Sequence, residues 1–253
     1  MTREASLIVT LGIPLIACGA VSAVAFAIHT LPDDGPRRAR RFLLAAATWF
    51  AVALALAEGG VLRDPDAIPP PMLLVLLPVL LLPTLLAFSK VGTALVSHVP
   101  VAALVGFHGF RLPLELLMLR AANEGIMPPQ MAVTGLNFDI VTGISALIVA
   151  ALAAKGLAPR ALIVAFSVLG TSLLVAIGVI AIASLPAFRA FGNDPAVVNT
   201  WVTEVPFVLL PAGLVSSGVL GHLLLWRWIA RDSATDAVAP RFVSERQGAV
   251  DPN

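Results

Sequence analysis

Charged residues and cysteine are both scarce in this chain, and each shortage excludes a class of protein. Of the 253 residues, 12% are charged, about half the share in a typical soluble domain, and 58% are hydrophobic. A single cysteine, Cys18, excludes an internal disulfide and any multi-cysteine metal or iron–sulfur site. With a net charge of +1 and no long run of like charge, the sequence does not predict nucleic-acid binding. A mean hydropathy of +0.95 leaves a polytopic helical membrane protein.

Long apolar runs predict an all-α membrane bundle of seven transmembrane helices. The hydrocarbon core of a bilayer is about 30 Å thick, so a helix that rises 1.5 Å per residue needs about 20 apolar residues to cross it. The predicted spans are residues 7–31, 42–62, 70–88, 93–119, 137–154, 161–185 and 204–228. They form one domain over residues 1–231, and the polar residues 232–253 are expected to be a disordered cytoplasmic tail.

The distribution of lysine and arginine predicts which way the spans run. Eleven of the sixteen basic residues fall in connections on one side of the spans and four on the other, while Arg111 lies within span four. Short cytoplasmic loops accumulate positive charge. The N-terminus is therefore predicted to lie outside the cytoplasm and the C-terminus inside it.

Cys18 allows a different interpretation of the N-terminus. The segment Leu15–Gly19 looks like a bacterial lipoprotein processing box in which Cys18 would accept the lipid. Processing there would place the arginines of residues 37–41 outside, against the charge rule, and the apolar run is longer than a signal peptide needs. A small buried cysteine within span one is the preferred interpretation.

Lysine and the common catalytic motifs are missing from the predicted spans. The two lysines, Lys90 and Lys155, both lie in predicted cytoplasmic loops, so a retinal Schiff base, which needs an intramembrane lysine, is excluded. The sequence contains no Walker loop, no H-E-x-x-H and no G-x-S-x-G pattern. No catalytic residue is assigned, and an enzymatic function is not favoured.

Polar residues are concentrated in span four and at the start of span five. Arg111 and Glu115 are four residues apart and therefore share one helical face, and His108 precedes Arg111 by three residues. Charged residues within spans normally face the bundle interior or a water-filled cavity. Three further polar residues open later spans on the same predicted side. The predicted ligand- or proton-binding set is Arg111, Glu115, Asn137, Asp139, Glu204 and His108.

This set predicts an outward-facing polar pocket that binds or carries a small polar solute or protons. A guanidinium holds carboxylates or phosphates through paired hydrogen bonds, and carboxylates within spans carry protons. Simpler roles compete with this hypothesis. Arg111 and Glu115 would make a structural pair within span four, and Asn137 and Asp139 would cap span five. The polar residues would then join helices of a homo-oligomer or a larger membrane complex.

Two histidines suggest a cofactor as an alternative. His98 and His222 lie in the cytoplasmic third of predicted spans four and seven. Histidines on facing helices are the axial ligands of b-type haem, so a haem-binding redox protein is the alternative, although no cofactor is the main expectation. No acidic residue lies in an inner half-span, so catalytic zinc is not expected.

Short motifs in these spans resemble those of a family of uncharacterised bacterial polytopic integral membrane proteins. The motifs are Phe110-Arg111 with Glu115, Gly125-x-x-Pro128-x-x-Met131, Gly135–Ile140 with Gly143, Pro206–Pro211 and His222-Leu223. The resemblance covers about a third of the chain. It implies a multi-pass protein of the bacterial cytoplasmic (inner) membrane, in contact with the lipid bilayer. It implies no activity, because none is known for the family.

Overall fold

A computed structural model describes residues 5–64, 67 and 69–247, with side chains to residue 231, and the regular structure in this part of the chain is entirely helical. The α-helices are α1 (Leu7–His29), α2 (Gly35–Glu58), α3 (Leu73–Phe88), α4 (Lys90–His98), α5 (Val101–Gly106), α6 (Arg111–Asn123), α7 (Ile140–Ala154), α8 (Arg160–Ala183) and α9 (Ser216–Gln247). A 3-10 turn (Phe107–Phe110) joins α5 to α6, and a π-helix (Leu210–Val215) leads into α9. The all-α prediction is confirmed.

Four helical stretches are long and apolar enough to cross a membrane. They are α1, α2, α8 and the continuous stretch Val101–Asn123, and the bent pair α3 and α4 would make a fifth. Large apolar side chains also cover the outside of the bundle, among them Leu15, Phe26 and Leu77, each more than half exposed. Exposing so large an apolar surface to water is unfavourable, whereas a lipid environment accommodates it. The helices therefore fit the predicted membrane protein.

Cys18 lies on the outside of α1, so its predicted burial is wrong. The buried positions of this helix, which include Ile13, Ala17 and Val24, follow one face at helical spacing. The residue after Ala17 is rotated by about 100° from that face. The Cys18 thiol therefore points to the surroundings of the bundle.

Predicted span four is interrupted by a proline. The sequence predicts one helix over residues 93–119, but α4 ends at His98 and Val99 has an extended backbone with ψ of 126°. Proline has no N–H to donate and disfavours the α conformation of the residue before it, so Pro100 starts a new helix at Val101. The axis of α4 is bent by 65° from that of α3, its predecessor in the chain.

The last helix also differs from its prediction. Residues 204–209 precede the π-helix as turns that include a cis Val205–Pro206 peptide, so regular helix starts later than predicted. At its other end α9 continues to Gln247, although the sequence predicts disorder from residue 232. Extending an existing helix is much easier than nucleating one, and alanine, arginine and glutamate in this segment favour helix. Residues 248–253 lie outside the described residues.

Hydrogen bonds between distant segments define two ends of the bundle. At the amino-terminal end, the backbone N–H of Ser6 donates to Glu124 Oε2 at 2.9 Å. At the opposite end, here called the arginine end, Arg227 donates to the carbonyl of Ala87 and, at 2.9 Å, to the hydroxyl of Thr93. Ser89 lies at this end because it stands between Ala87 and Thr93, and Arg160 lies there because it donates to the Ile229 carbonyl at 3.1 Å.

The apolar interior consists of two groups of buried side chains. Leu114 belongs to the group that contains Val9 and Trp201, and Val105 belongs to the group that contains Leu225. The chain from Val105 to Leu114 therefore passes from one group to the other. Its polar residues lie at the boundary, in the middle of the bundle.

Candidate functional site

Arg111 opens α6 and is 1% exposed. Its Nη1 donates to both carboxylate oxygens of Asp139, the residue just before α7. The sequence pairs Arg111 with Glu115 of its own helix, whereas the structure pairs it with the neighbouring helix. The helices approach closely because α7 carries Gly143, where a Cβ would lie 2.5 Å from the backbone nitrogen of Leu112.

Glu115 is bound by Asn137 and not by Arg111. The side-chain amide of Asn137 donates to Glu115 Oε2 at 2.7 Å and to the Met131 carbonyl at 3.0 Å. Its Oδ1 accepts the backbone N–H of Asp139 at 3.0 Å, the local turn typical of asparagine before a helix. This contact matches the capping role considered for Asn137, whereas the carboxylate of Asp139 makes no cap. Asn137 thus connects the two acidic residues.

One guanidinium and two carboxylates therefore share one enclosed space, here called the carboxylate cluster and made of Arg111, Glu115, Asn137 and Asp139. Glu115 and Asp139 are 2% and 4% exposed. With both carboxylates ionised, the cluster would carry a net charge of −1. A buried charge without a partner costs several kcal/mol, at about the level at which groups take up a proton instead. Binding one proton, or another single positive charge, would therefore neutralise the cluster.

A cavity of about 70 Å³ lies beside the cluster. Arg111, Glu115 and Asp139 line it together with apolar side chains of α8 and the π-helix. The Nε and Nη2 of Arg111 are buried and make no hydrogen bond with the part of the chain that the structure describes. The cavity has room for water and is well below the about 300 to 1,000 Å³ typical of small-molecule sites.

The segment between α6 and α7 closes the cluster from the amino-terminal end. Gln130 Nε2 donates to Ser184 Oγ at 3.0 Å and to the Val197 carbonyl at 2.6 Å, which fixes this segment to the connection after α8. The side chains of Met127 and Met131 point inward and are almost fully buried. The sequence predicts a mouth open to the outside, and in the structure this segment covers carboxylates that are themselves buried. The two methionines were the signal for this cover, since a solvated connection has little use for them.

Glu204 lies apart from the carboxylate cluster. Its side chain is exposed and lines a separate pocket of about 180 Å³ with Arg63 and Asp64. Its backbone is extended, with ψ of 154°, just before the cis Val205–Pro206 peptide. The predicted helix start at this residue is therefore absent, and the carboxylate stays at the surface.

His108 and His222 form a second enclosed group, the histidine pair. Their ring centroids are 4.0 Å apart, with 31° between the ring planes. None of the four ring nitrogens makes a hydrogen bond of normal geometry within the described residues. Each ring lies against a glycine instead, since a Cβ at Gly221 would be 2.8 Å from His108 Nε2 and one at Gly170 would be 3.0 Å from His222 Nε2. Sequence reasoning missed this contact, which depends on glycines of α8 and α9.

Two buried hydroxyls connect the histidine pair with the carboxylate cluster. Thr142 lies one helical turn after Asp139, and both Thr142 and the ring of His222 border Gly170. Ser167 precedes Gly170 by three residues on α8. Neither hydroxyl has a hydrogen-bond partner among the described residues. Both hydroxyl residues are fully buried beside the histidine pair or on the helix that borders it.

The residues predicted to hold haem have different neighbours. His98 is exposed, and its Nδ1 lies 2.9 Å from the carbonyl oxygen of Ala94. The ring of His222 packs on His108, which occupies the space that a porphyrin between two axial imidazoles would need. His98 and His222 therefore do not fit a haem. Among the described residues, no group of three or more histidine, cysteine, aspartate or glutamate side chains is placed to hold a metal ion.

Glu124 follows α6 directly, at the solvated end of that helix. Its carboxylate accepts the Ser6 N–H at 2.9 Å and the Arg120 Nε–H at 2.8 Å. The backbone and hydroxyl of Ser6, followed by Arg120, hold the pKa of Glu124 below its ordinary value of 4.5. This contact fastens the start of α1 to the end of α6.

The carboxylate cluster, the cavity beside it and the histidine pair are the buried polar features of the described residues that bear on function. No protein-family model matches the chain, and no curated protein or solved structure matches it either.

Proposed function

We propose that the chain is a seven-span protein of the bacterial cytoplasmic membrane, with its N-terminus outside and its C-terminus in the cytoplasm. The uneven distribution of arginine and lysine supports this orientation. So does the alternating direction of the long helices, with α4 as a bent continuation of α3. In this arrangement the arginine end faces the cytoplasm and Ser6 lies on the outer side.

Within this frame, the carboxylate cluster binds and transfers protons. The observation that carries this proposal is the enclosure of two carboxylates with a single guanidinium. Asp139 neutralises Arg111, and the second carboxylate, Glu115, accepts a hydrogen bond from the Asn137 amide and borders the cavity. A proton on Glu115 makes the cluster neutral, and its loss leaves a charge that the site must bear. Buried carboxylates of this kind carry protons in membrane proteins.

The size of the cavity favours protons over a solute. Its volume of about 70 Å³ admits water, which can pass a proton to or from a carboxyl group, and is well below the about 300 to 1,000 Å³ typical of small-molecule sites. The histidine pair provides the next titratable groups toward the arginine end. A proton that leaves Glu115 toward the arginine end would pass the imidazoles of His108 or His222 next.

Proton flux into vesicles tests this function. The purified full-length protein is reconstituted into liposomes that contain a pH-sensitive dye, and a potassium gradient with valinomycin supplies the driving force. We expect acidification well above that of empty liposomes. Glu115→Gln should reduce the acidification to background. The glutamine carbonyl still accepts the hydrogen bond from Asn137, but the side chain does not take up or release a proton.

Glu204→Gln is the matched control, because it makes the same change at an exposed carboxylate outside the cluster. This variant should transfer protons like the natural protein. Equal flux in folded Glu115→Gln and in the natural protein would refute the proposed role of Glu115. A natural protein that does no better than empty liposomes would refute proton transfer altogether.

A further inference from the structure

An apolar groove of about 550 Å³ opens on the side of the bundle, away from the carboxylate cluster. Its walls come from α1, α2, α3 and the junction of the π-helix with α9. Nearly all of the lining is hydrocarbon, including Val24, Phe42 and Leu86. The exceptions are concentrated in two arginines of α2, Arg38 and Arg41, and in two serines of α9. The groove therefore has an apolar body with a strongly basic end.

The shape of the groove is set by packing around the π-helix. The indole N–H of Trp49 donates to the carbonyl of Ala212 at 3.0 Å, which satisfies a backbone group that the π-helix leaves available. Gly213 lets Phe50 approach the same turn, since a Cβ there would be 2.8 Å from the end of the Phe50 ring. These contacts close the deep end of the groove. Toward the arginines, the small side chain of Ala45 leaves the space open.

The length of the groove matches one leaflet of a bilayer. Its lining residues on α2 run from Arg38 to Phe50, and the twelve helical steps between them span about 18 Å at 1.5 Å per residue. Half of the hydrocarbon core is about 15 Å deep. When the apolar wall lies at the depth of acyl chains, the two guanidinium groups lie at the height of the phosphate groups.

The guanidinium N–H groups of Arg38 and Arg41 are available to bind a ligand. Arg38 and Arg41 are three residues apart, so they lie on one side of α2, where both border the groove. Neither guanidinium makes a hydrogen bond or an ion pair within the described part of the chain. Guanidinium groups bind phosphate through paired charge-assisted hydrogen bonds. The charge at this end of the groove thus selects an anionic headgroup.

We propose that this groove binds one anionic phospholipid, with an acyl chain along α2 and the phosphate between Arg38 and Arg41. The inference is independent of proton transfer, because the groove and the carboxylate cluster share no residue. The lipid would cover apolar surface next to the π-helix and join α2 to α9.

Native mass spectrometry of the full-length protein in detergent tests the site, with phosphatidylglycerol as the probe and phosphatidylcholine for comparison. We expect one tightly retained phosphatidylglycerol and little phosphatidylcholine. Arg38→Gln with Arg41→Gln should weaken retention about twenty-five-fold, since each arginine near an anionic lipid contributes about a factor of five. Ala45→Phe should weaken it as well, by filling the groove without changing the charge.

The matched control is Arg37→Gln with Arg40→Gln, which removes the same charge from exposed neighbours that do not line the groove. It should retain phosphatidylglycerol like the natural protein. Equal loss in both double variants would show diffuse attraction to α2 and overturn the site. Undiminished retention in Ala45→Phe would also overturn it, and so would a dimer that Ala45→Phe dissociates, because the occupant would then be a second copy of the chain.

Discussion

The carboxylate cluster and the histidine pair lie one helical turn apart, yet the acidic side chains of the cluster and the imidazole rings of the pair differ in hydrogen bonding. In the cluster, Asn137 and the pairing of Arg111 with Asp139 give each acidic side chain a partner. In the histidine pair, the ring nitrogens face each other and glycine backbone, without a normal hydrogen bond among the described residues. Hydrogen-bonded buried networks hold helices in place, whereas buried polar groups without hydrogen bonds cost stability and call for an explanation.

This difference separates two roles that buried polar residues have in membranes. The Arg111–Asp139 pair joins α6 to α7 and would be needed in a purely structural protein. The histidine pair adds no such link, so the structural interpretation does not account for it. Each region can therefore be altered in a way that distinguishes stability from transfer.

The largest effect is expected from Asp139→Leu. This change removes the carboxylate that hydrogen-bonds Arg111, and breaking such a buried pair costs about 3 to 5 kcal/mol, because the remaining carboxylate, Glu115, is bound by Asn137 instead. Thermal unfolding in detergent should show a strongly reduced melting temperature. Adding Arg111→Met should restore much of the lost stability, because a buried ion pair can be exchanged for apolar side chains at little net cost. A single variant as stable as the natural protein would show that the pair does not hold the helices together.

A much smaller change in stability is expected from His222→Leu. Leucine fills a similar volume, and the ring nitrogens of His222 give up no normal hydrogen bond, so unfolding should change by less than about 1 kcal/mol. Proton flux should nevertheless fall, because one titratable group of the path is gone. A loss of stability like that of Asp139→Leu would place the histidine pair in the structural class and erase the contrast.

The sequence predicts those features of the carboxylate cluster that depend on residue type, and not those that depend on how the helices pack. Arg111, Glu115, Asn137 and Asp139 are rare polar residues in apolar segments, and the cost of burying them singly indicates that they gather, as the structure shows. Which carboxylate meets Arg111 was not predictable from spacing along α6. That choice depends on how closely Gly143 lets the next helix approach, which is a tertiary property.

The errors have a similar cause. The i, i+3 spacing of His108 and Arg111 was visible in the sequence, but the contact of His108 with His222 joins residues 114 positions apart and needs glycines on two other helices. The cover over the carboxylate cluster was missed because connections are normally assumed to be solvated, whereas Met127 and Met131 fold inward. Proline effects were more local, and the break at Pro100 could have been placed from sequence alone.

The smallest effect is expected where α6 leaves the bundle interior, at the exposed end that carries Glu124. Glu124→Gln removes a charge that Ser6 and Arg120 stabilise near water, so the melting temperature at pH 7 should fall by only about 1 to 2 °C. Because folding lowers the pKa of Glu124, its contribution is complete above the ordinary value of 4.5 and is lost as the pH falls through the lower folded value. The melting curves of the two proteins should therefore converge in acid. High salt should narrow the gap at pH 7 as well, since an exposed pair is screened and the enclosed Arg111–Asp139 pair is not. A gap that persists at low pH and in high salt would mean that Glu124 acts through packing, like the buried residues of the same helix.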